Sequence, residues 1–307
     1  MKTALVLGAS GGVGGETARA LIAHGWIVRG LTRTPRDGDG IKWIVGDAMD
    51  RDAVLTAAAG VDAIVHAVNP PGYRDWEKLV MPMIENSIAA AKASDARLAL
   101  PGTIYNYDPA RSPVIAPDAP QNAATRKGRI RVAMERAIEQ SGVKAVILRA
   151  GDFFGPRPGN SVLSQAMVTP GRPVGRRVMV AGKKGVGHAW AYLPDVGETF
   201  ARLLDRDDLP RFARYHFAGY WDADAGEIAA AVGRAAGHEV TTYRMPWGLL
   251  PLVAPFNPTM REMIEMRPCW DNPVRLDNTS LVAAIGEEPC TPLDEAMRTT
   301  LTALGCA

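Results

Sequence analysis

The stretch LVLGASGGVGGETARAL, residues 5–21, decides the fold. It joins a short apolar run to an alanine-rich stretch of helical spacing through a turn rich in glycine. Glycine is unfavourable inside strands and helices, so the turn must need it. Gly8, Gly11 and Gly14 suit a tight turn, the close approach of a diphosphate, and close packing of helix on strand. The pattern predicts a dinucleotide-binding turn with the diphosphate at the helix N-terminus.

The composition is that of an ordinary globular protein. Hydrophobic residues make up 47% of the 307 residues and charged residues 22%. The net charge of +2, with no long run of like charge, predicts no nucleic-acid partner. Cys269, Cys290 and Cys306 lie far apart, and the histidines are scattered, so we expect neither a disulfide framework nor a metal site.

Two apolar segments invite comparison with targeting or membrane sequences. The N-terminal run Ala4–Leu7 is too short for the core of a signal peptide. The segment 245–258 contains four prolines and is shorter than a membrane span of about 20 residues. We therefore expect a soluble, cytoplasmic protein that has no membrane partner.

Short apolar runs alternate with stretches of helical spacing over the first 150 residues. Runs that are apolar on both faces are typical of parallel strands covered by helices on each side. The predicted strands are 3–8, 26–32, 41–46, 61–68, 96–102 and 143–150, and the predicted helices are 12–24, 50–60, 75–94 and 126–141. The alternation predicts an α/β fold with a Rossmann-type doubly wound parallel sheet.

The pattern becomes less regular after residue 150. Residues 155–175 resemble a loop, and residues 188–206 predict a helix with Asp195 as its N-cap. Residues 214–220 predict one more strand, and residues 221–307 predict helices broken by prolines. We expect an NAD(P)-binding domain over 1–155, completed by 188–220, and a smaller, mainly helical substrate lobe formed by 156–187 and 221–307.

The end of the second predicted strand bears on the choice of cofactor. NAD-binding proteins commonly place a carboxylate there for the ribose hydroxyl, whereas an arginine accommodates the extra phosphate of NADP. This chain has Thr32 and Arg33 at that point, and Arg29 is close enough to help. The alternative is that these arginines are merely solvated. The residues favour NADP(H), with NAD as the second choice.

Five segments occur together in the order typical of one protein family. They are GASGGVG (8–14), VGDAMD (45–50), VHAVNP (65–70), LRAGDFFGP (148–156) and HAWAYLPDVGETFARLL (188–204). In these segments the chain resembles the short-chain dehydrogenase/reductase superfamily, specifically its extended branch of NAD(P)-dependent epimerases, dehydratases and reductases. The resemblance implies a small-molecule substrate and raises the prospect of a homodimer.

The resemblance also implies which residues would bind the cofactor. Asp47 matches the aspartate that binds adenine, and the residues around Ala67 match a segment that lines the cofactor. The full predicted set is Gly8, Ser10, Gly11, Gly12, Val13, Gly14, Thr32, Arg33, Asp47, Ala48, Ala67, Val68, Asn69 and Arg131.

The catalytic positions depart from the family pattern. The family places Ser or Thr at the end of strand five and Tyr-x-x-x-Lys on the next helix. Here Pro101 stands at the serine position, with Thr103 as the nearest hydroxyl. Aligning Glu135 with the family's helix glutamate puts Lys127 at the tyrosine position and Arg131 at the lysine position. The usual active site is therefore missing.

Lys127 and Arg131 share one helix face with Met134 and Ile138, which should face the sheet. In one interpretation both cations point inward: Arg131 grips ribose or phosphate, and Lys127 binds substrate or donates a proton, its pKa depressed by the neighbouring arginine. In the other, both lie at a hydrated helix start and extend outward into water.

Four other residues bear on the chemistry. Tyr105 and Tyr107 are phenols near the predicted nicotinamide position, although the family pattern makes Tyr105 a structural residue. Thr103 would orient a substrate carbonyl. His66 is interpreted as a buried, satisfied histidine in preference to a catalytic base.

Two functions fit this sequence. The first is an NAD(P)-dependent oxidoreductase or epimerase/dehydratase-like enzyme acting on a small carbonyl or hydroxyl compound, with Thr103, Tyr105, Lys127 and Arg131 as catalytic candidates. The cofactor would carry out the hydride chemistry and the protein would position it. The second is a catalytically inactive protein of the same superfamily that senses NADP(H). The substrate lobe favours the enzyme.

Overall fold

A parallel sheet of seven strands forms the centre of the fold, which the computed structural model describes for residues 1–70, 76–111, 114–157 and 161–307. The strands in these ranges are β1 (Thr3–Leu7), β2 (Ile27–Thr32), β3 (Lys42–Val45), β4 (Ala63–His66), β5 (Arg97–Thr103), β6 (Val114–Ile115), β7 (Ala145–Ala150), β8 (Asp152–Phe154), β9 (Arg177–Val180), β10 (His188–Tyr192), β11 (Phe212–His216), β12 (Tyr220–Asp222), β13 (Thr241–Arg244) and β14 (Arg275–Leu276). The central sheet has the order β11-β7-β5-β4-β1-β2-β3.

Helices connect and cover these strands. They are α1 (Gly12–Ala23), α2 (Arg51–Ala57), α3 (Trp76–Ser94), α4 (Arg126–Ser141), α5 (Leu193–Asp205), α6 (Glu227–Ala236), α7 (Leu250–Val253), α8 (Pro258–Met266), α9 (Pro268–Asp271), α10 (Thr279–Ile285) and α11 (Leu293–Ala303). The order reverses at β1, which has β4 on one side and β2 on the other. In sheets of this kind, ligands bind beyond the carboxyl ends of the strands at such a point.

Both faces of the sheet are apolar because alternate strand residues enter two different cores. Val6 of β1 packs with Leu21 of α1 and Phe200 of α5. Leu5, its neighbour in β1, enters the opposite core with Ile84 of α3. This arrangement explains the runs that are apolar on both faces and confirms the predicted Rossmann-type α/β fold.

The later part of the chain adds three small sheets with the orders β12-β10-β8, β13-β9 and β14-β6. A separate hydrophobic core holds the elements of this later part together. Its members include Phe154, Trp190, Val232, Trp270 and Met297. The domain boundaries stay a prediction. Residue 75 of one predicted helix and residues 158–160 of the predicted loop lie outside the described residues.

The structure corrects the prediction for residues 188–206. The first five residues form β10, and α5 begins only at Leu193, with Tyr192 as its N-cap. Asp195 is therefore not the N-cap. Its carboxylate instead accepts hydrogen bonds from the backbone N–H of Thr291 at 2.9 Å and from the Thr291 hydroxyl at 2.7 Å.

Two further predictions for the later chain are wrong in detail. The strand expected at 214–220 is divided into β11 and β12. The region 221–307, expected to be helical, also contains β13 and β14. In the described ranges, no helix combines the length and apolar character needed to cross a membrane.

Candidate functional site

A cleft of about 1120 Å³ runs along the carboxyl ends of the central strands. Residues of the later chain, among them Trp247, Met263 and Trp270, also line it. Every residue predicted to bind the cofactor lines this cleft except Gly14. The catalytic candidates Thr103, Tyr105, Lys127 and Arg131 line it too. The structure thus brings the candidates into one cleft, and their roles stay predictions.

Two close backbone approaches shape the turn after β1. Gly8 has a φ of +88°, and a Cβ there would lie 2.5 Å from the carbonyl oxygen of Ala67 in the segment after β4. A Cβ at Gly14 would lie 2.3 Å from the carbonyl oxygen of Gly8. Gly14 is therefore needed for helix–strand packing beneath the turn, which explains why it does not line the cleft.

The start of α1 suits an anion. The N-cap residue Gly11 offers no side chain to accept hydrogen bonds from the first amides of the helix, and the first turn contains no acidic residue. These amides carry the positive end of the helix dipole. The turn therefore fits the diphosphate of a dinucleotide.

The end of β2 presents arginine to the cleft, as expected. Arg33 is exposed and lines the cleft together with Arg36, whose guanidinium lies 5.1 Å from the centre of the Trp43 ring. Arg29 does not help, contrary to the prediction. Its guanidinium donates to the carbonyl oxygens of Ala57 and Ala59 at 3.1 and 2.7 Å, at the end of α2.

The segment after β3 is held in a defined turn. One carboxylate oxygen of Asp47 accepts a hydrogen bond from the backbone N–H of Met49 at 2.9 Å. The carbonyl oxygen of Ala48 accepts one from the Asn86 side chain of α3 at 2.9 Å. These bonds place Asp47 and Ala48 on the cleft wall, where an adenine would lie if the family pattern holds.

Thr103 and the two tyrosines have different environments. The Thr103 hydroxyl accepts a hydrogen bond from the Tyr105 backbone N–H at 3.3 Å and so caps a short 3₁₀ turn, Ile104–Asn106. Tyr105 is half-buried on the cleft wall. Tyr107 is buried away from the cleft, and burial raises its pKa to about 12. Tyr107 is therefore removed as a candidate proton donor.

A buried polar network occupies the space where Tyr107 points. The Tyr107 hydroxyl contacts Arg149 and lies 3.1 Å from Nε2 of His216. The Glu135 carboxylate binds Arg149 through two nitrogens, at 3.0 and 2.5 Å, and accepts a further bond from the Asn106 side chain at 2.8 Å. The network therefore ties α4 and β7 to the turn that follows Thr103.

Lys127 points inward and is only 1% exposed, so the outward interpretation is wrong for this residue. Its Nζ lies 3.0 Å from the carboxylate of Glu262 and donates to the carbonyl oxygen of the same residue at 2.8 Å. The pKa of Lys127 is lowered chiefly by burial. The arginine that contributes to this lowering of the Lys127 pKa is Arg126. The prediction that Arg131 has this effect is therefore wrong.

Arg131 is part of a chain of contacts between β4 and α4. Its guanidinium lies 5.1 Å from the centre of the Trp76 ring, and it reaches the carbonyl oxygen of Pro101 at 3.5 Å. The indole N–H of Trp76 donates to the side-chain oxygen of Asn69. Two predicted cofactor residues, Arg131 and Asn69, are thus held by one tryptophan that sequence reasoning missed.

His66 is buried on the cleft wall and lacks one partner. Its Nδ1 lies 2.7 Å from the Ser87 hydroxyl, which donates to the carbonyl oxygen of Met83 at 3.2 Å. Nδ1 is therefore the donor and Nε2 the acceptor, and within the described parts of the chain Nε2 has no hydrogen-bond partner. Burial lowers the pKa of His66 to about 3, and Arg131 adds to this effect. The ring is neutral and fits a hydroxyl donor of a bound cofactor.

The far end of the cleft contains residues that the sequence reasoning did not identify. Asp152, just beyond β7, lies 2.7 Å from Nε2 of His188, and the His188 ring stacks on Trp270 at 3.8 Å. A polar residue directly after a buried parallel strand is a usable signal and could have identified Asp152. Glu262 gave no such signal. No group of three or more potential metal ligands occurs among the residues that the structure covers.

Comparison with known proteins agrees with this geometry. A family model described as NAD(P)H-binding matches residues 8–181. A 3-diazoavenalumate denitrifying reductase from Streptomyces sp. is 30% identical over 174 residues, which cover 50% of this chain. The match spans 57% of the length of that reductase.

Solved structures of low sequence identity share the whole fold. The enzyme WbmH of Bordetella bronchiseptica, in complex with NAD⁺, has a TM-score of 0.74 at 20% identity, over 99% of this chain and 98% of that one. A putative epimerase from Burkholderia cenocepacia has a TM-score of 0.77 at 22% identity, over 100% and 99% of the two chains.

UDP-glucose 4-epimerase of Bifidobacterium longum, in complex with NAD⁺ and UDP, has a TM-score of 0.77 at 14% identity, over 98% of both chains. These likenesses concern the fold, whereas the family model concerns the sequence of more than half of the chain. The chain therefore belongs to the NAD(P)H-binding family and has the fold of the NAD-dependent epimerases of the extended short-chain dehydrogenase/reductase type.

Proposed function

We propose that this protein is an NADP(H)-dependent oxidoreductase that acts on a small carbonyl or hydroxyl compound without the usual Tyr-x-x-x-Lys. The observation that carries the proposal is the cleft, because one continuous space joins the glycine turn to Thr103, Lys127 and the far end at Asp152. The related Streptomyces protein is named a reductase, which favours a reductase over an epimerase.

The preference for NADP(H) rests on charge at the end of β2. Arg33 and Arg36 line the cleft there, and Thr32 occupies the position where NAD-binding proteins commonly have an acid. Asp47, at the end of β3, is the carboxylate that lines this region in the described chain. A guanidinium would form charge-assisted hydrogen bonds with the extra phosphate.

A bound nicotinamide would supply or accept a hydride, and the residues of the chain would hold and orient the reacting groups. Arg131 would grip ribose oxygens, with its guanidinium held beside Trp76. Thr103 would orient the substrate carbonyl. Lys127 would hold the proton at Nζ, because burial lowers its pKa and so makes it a stronger acid than an ordinary lysine.

The test combines binding with turnover. NADPH and NADH are titrated by calorimetry, and a panel of carbonyl compounds is then followed at the nicotinamide absorbance. Lys127→Met should lower turnover by about 100-fold or more, as expected for the loss of an acid–base group. Lys144→Met is the matched control, since Lys144 is a half-exposed lysine paired with Asp95. Equal turnover in both variants would contradict the role of Lys127.

A second candidate function is an NADP(H)-sensing protein without turnover. The favouring observation is that Lys127, at the position of the family tyrosine, is already bound by Glu262 of α8. Tight NADPH binding with no oxidation across the substrate panel would support this alternative. The homodimer and the cytoplasmic location remain expectations of the sequence.

A further inference from the structure

The far end of the cleft has aromatic and thioether walls. Trp247, Met263 and Trp270 line it from the later chain. The indole N–H of Trp247 donates to the carbonyl oxygen of Ala181 at 2.9 Å, and Trp270 is stacked on His188, so both large rings are held in place. Fixed aromatic surfaces beside adaptable methionines suit a flat apolar ring.

The positively charged side chains of the cleft are poorly placed to bind an anionic ligand at this end. Arg33 and Arg36 belong to the β2 end, and Arg131 lies against Trp76. Lys127 faces the Glu262 carboxylate at 3.0 Å, and Arg157 faces that of Glu16 at 3.1 Å. A nucleoside diphosphate bound here would lose its hydrating water, and each nearby cation already has another partner. Burying its negative charge would therefore be unfavourable.

Asp152 supplies a hydrogen-bond acceptor among these apolar walls. Its side chain is 15% exposed, and one carboxylate oxygen lies 2.7 Å from Nε2 of His188. Nδ1 of His188 is buried and has no hydrogen-bond partner among the described residues. An unpaired N–H would be costly there, so the ring is best placed to donate from Nε2 to Asp152.

The second carboxylate oxygen is then left for a ligand. Among the described residues, His188 makes the one hydrogen bond that reaches this carboxylate. A carboxylate only accepts, so the ligand must donate, as a hydroxyl does. Asp152 also lies two residues beyond Ala150, whose partner across the sheet is Thr103. Asp152 and Thr103 therefore lie near each other at the carboxyl ends of β7 and β5.

We propose that this end of the cleft binds a flat, uncharged ring compound with a hydroxyl group, and that Asp152 accepts the hydrogen bond of that hydroxyl. The inference rests on the proposed function, because the ring compound would be the alcohol of the reaction, the form that has a hydroxyl hydrogen to donate, whereas Thr103 would orient the carbonyl form. A ligand of this kind would distinguish this chain from UDP-glucose 4-epimerase, although the two share a fold.

The test measures binding rather than activity. Naphthylmethanol, naphthoate and UDP-glucose are titrated by calorimetry into the protein alone and into the protein saturated with NADP⁺. Naphthylmethanol should bind at least about 10-fold more tightly than naphthoate, because the carboxylate of naphthoate would face that of Asp152. UDP-glucose should give no binding signal in the protein saturated with NADP⁺, in which the diphosphate turn before α1 is already filled.

Two variants assign the affinity to residues. Asp152→Asn should weaken naphthylmethanol binding by about 10-fold or more, the range for a hydrogen bond to a charged group. Trp270→Leu should weaken binding by a similar factor through the lost ring surface. The matched control is Asp207→Asn, because Asp207 is an exposed acid that precedes β11 and lies at the amino ends of the strands, where it pairs with Lys2. It should leave binding unchanged.

Several results would overturn the proposal. They are equal or tighter binding of naphthoate or UDP-glucose, no binding of naphthylmethanol, and full affinity in Asp152→Asn. The ligand comparison on the unaltered protein decides the matter even if a variant does not fold. Failure of NADP⁺ to bind would contradict the proposed function instead, and the titrations into the protein alone would still test this end of the cleft.

Discussion

Removing one partner of the buried Arg149–Glu135 pair should destabilise the protein strongly. The two side chains are 0% and 3% exposed. Arg149→Met keeps an apolar stem of similar length. Of the partners in the described part of the chain, it leaves the Glu135 carboxylate with only the amides of Asn106 at 2.8 Å and Gln121 at 2.9 Å. An uncompensated buried charge of this kind costs about 3–5 kcal/mol.

This cost should be visible in two measurements. Urea unfolding followed by tryptophan fluorescence should shift to lower denaturant, and the melting temperature should fall by roughly 5–8 °C. Arg202→Met is the control, because Arg202 pairs with Glu198 on the exposed face of α5, where both side chains are 32% exposed. The control should cost less than about 1 kcal/mol.

A double variant tests whether charge is the cause. Glu135→Gln added to Arg149→Met removes the unpaired carboxylate, so the double variant should be more stable than Arg149→Met alone. The reasoning is refuted if the second substitution gives no recovery, or if Arg149→Met is no more harmful than the Arg202→Met control.

Three other predictions concern the cofactor turn, the cofactor preference and pH. Gly14→Ala should weaken NADPH binding at least about 10-fold, because the new Cβ would lie 2.3 Å from the Gly8 carbonyl oxygen; Gly248→Ala, which meets open space, should bind normally in the same calorimetry. Arg33→Ala should weaken NADPH binding by about 10-fold and leave NADH binding unchanged, and an unaltered NADPH/NADH ratio would contradict the assignment. The hydrogen bond from Asp205 raises the pKa of His24 above 6.5, so its protonated form stabilises the folded chain at low pH, and this contribution is lost as the pH rises through the raised value. His24→Gln should therefore lower the melting temperature more at acidic than at alkaline pH, and an equal loss at both would be evidence against this linkage.

The central sheet could be predicted because its information is local. Each parallel strand is a short apolar run, and glycine, whose conformational freedom is needed at Gly8, marks the turn after β1. The sequence predicts the N-terminus of α5 wrongly, because α5 follows β10 without an intervening loop. A single apolar pattern therefore runs through both the strand and the helix. Pro194, near the first helical position, is the local signal for the true start.

The candidate site could be predicted only in part. The predicted cofactor residues follow the ends of the strands, so the topology brings them together once the strands are known. The partner of Lys127 could not be found in this way, because Glu262 is 135 residues away in the chain and follows no motif. Similarly, His188 reaches Asp152 only because β8 and β10 pair in parallel.

The contact between Lys127 and Glu262 limits how this chain could be redesigned. Installing the family's Tyr-x-x-x-Lys by changing positions 127 and 131 alone would set a phenol against a carboxylate that is only 10% exposed. That carboxylate would disfavour the phenolate that such chemistry requires. A working graft would therefore need a third change at position 262, so a redesign confined to α4 would not be enough.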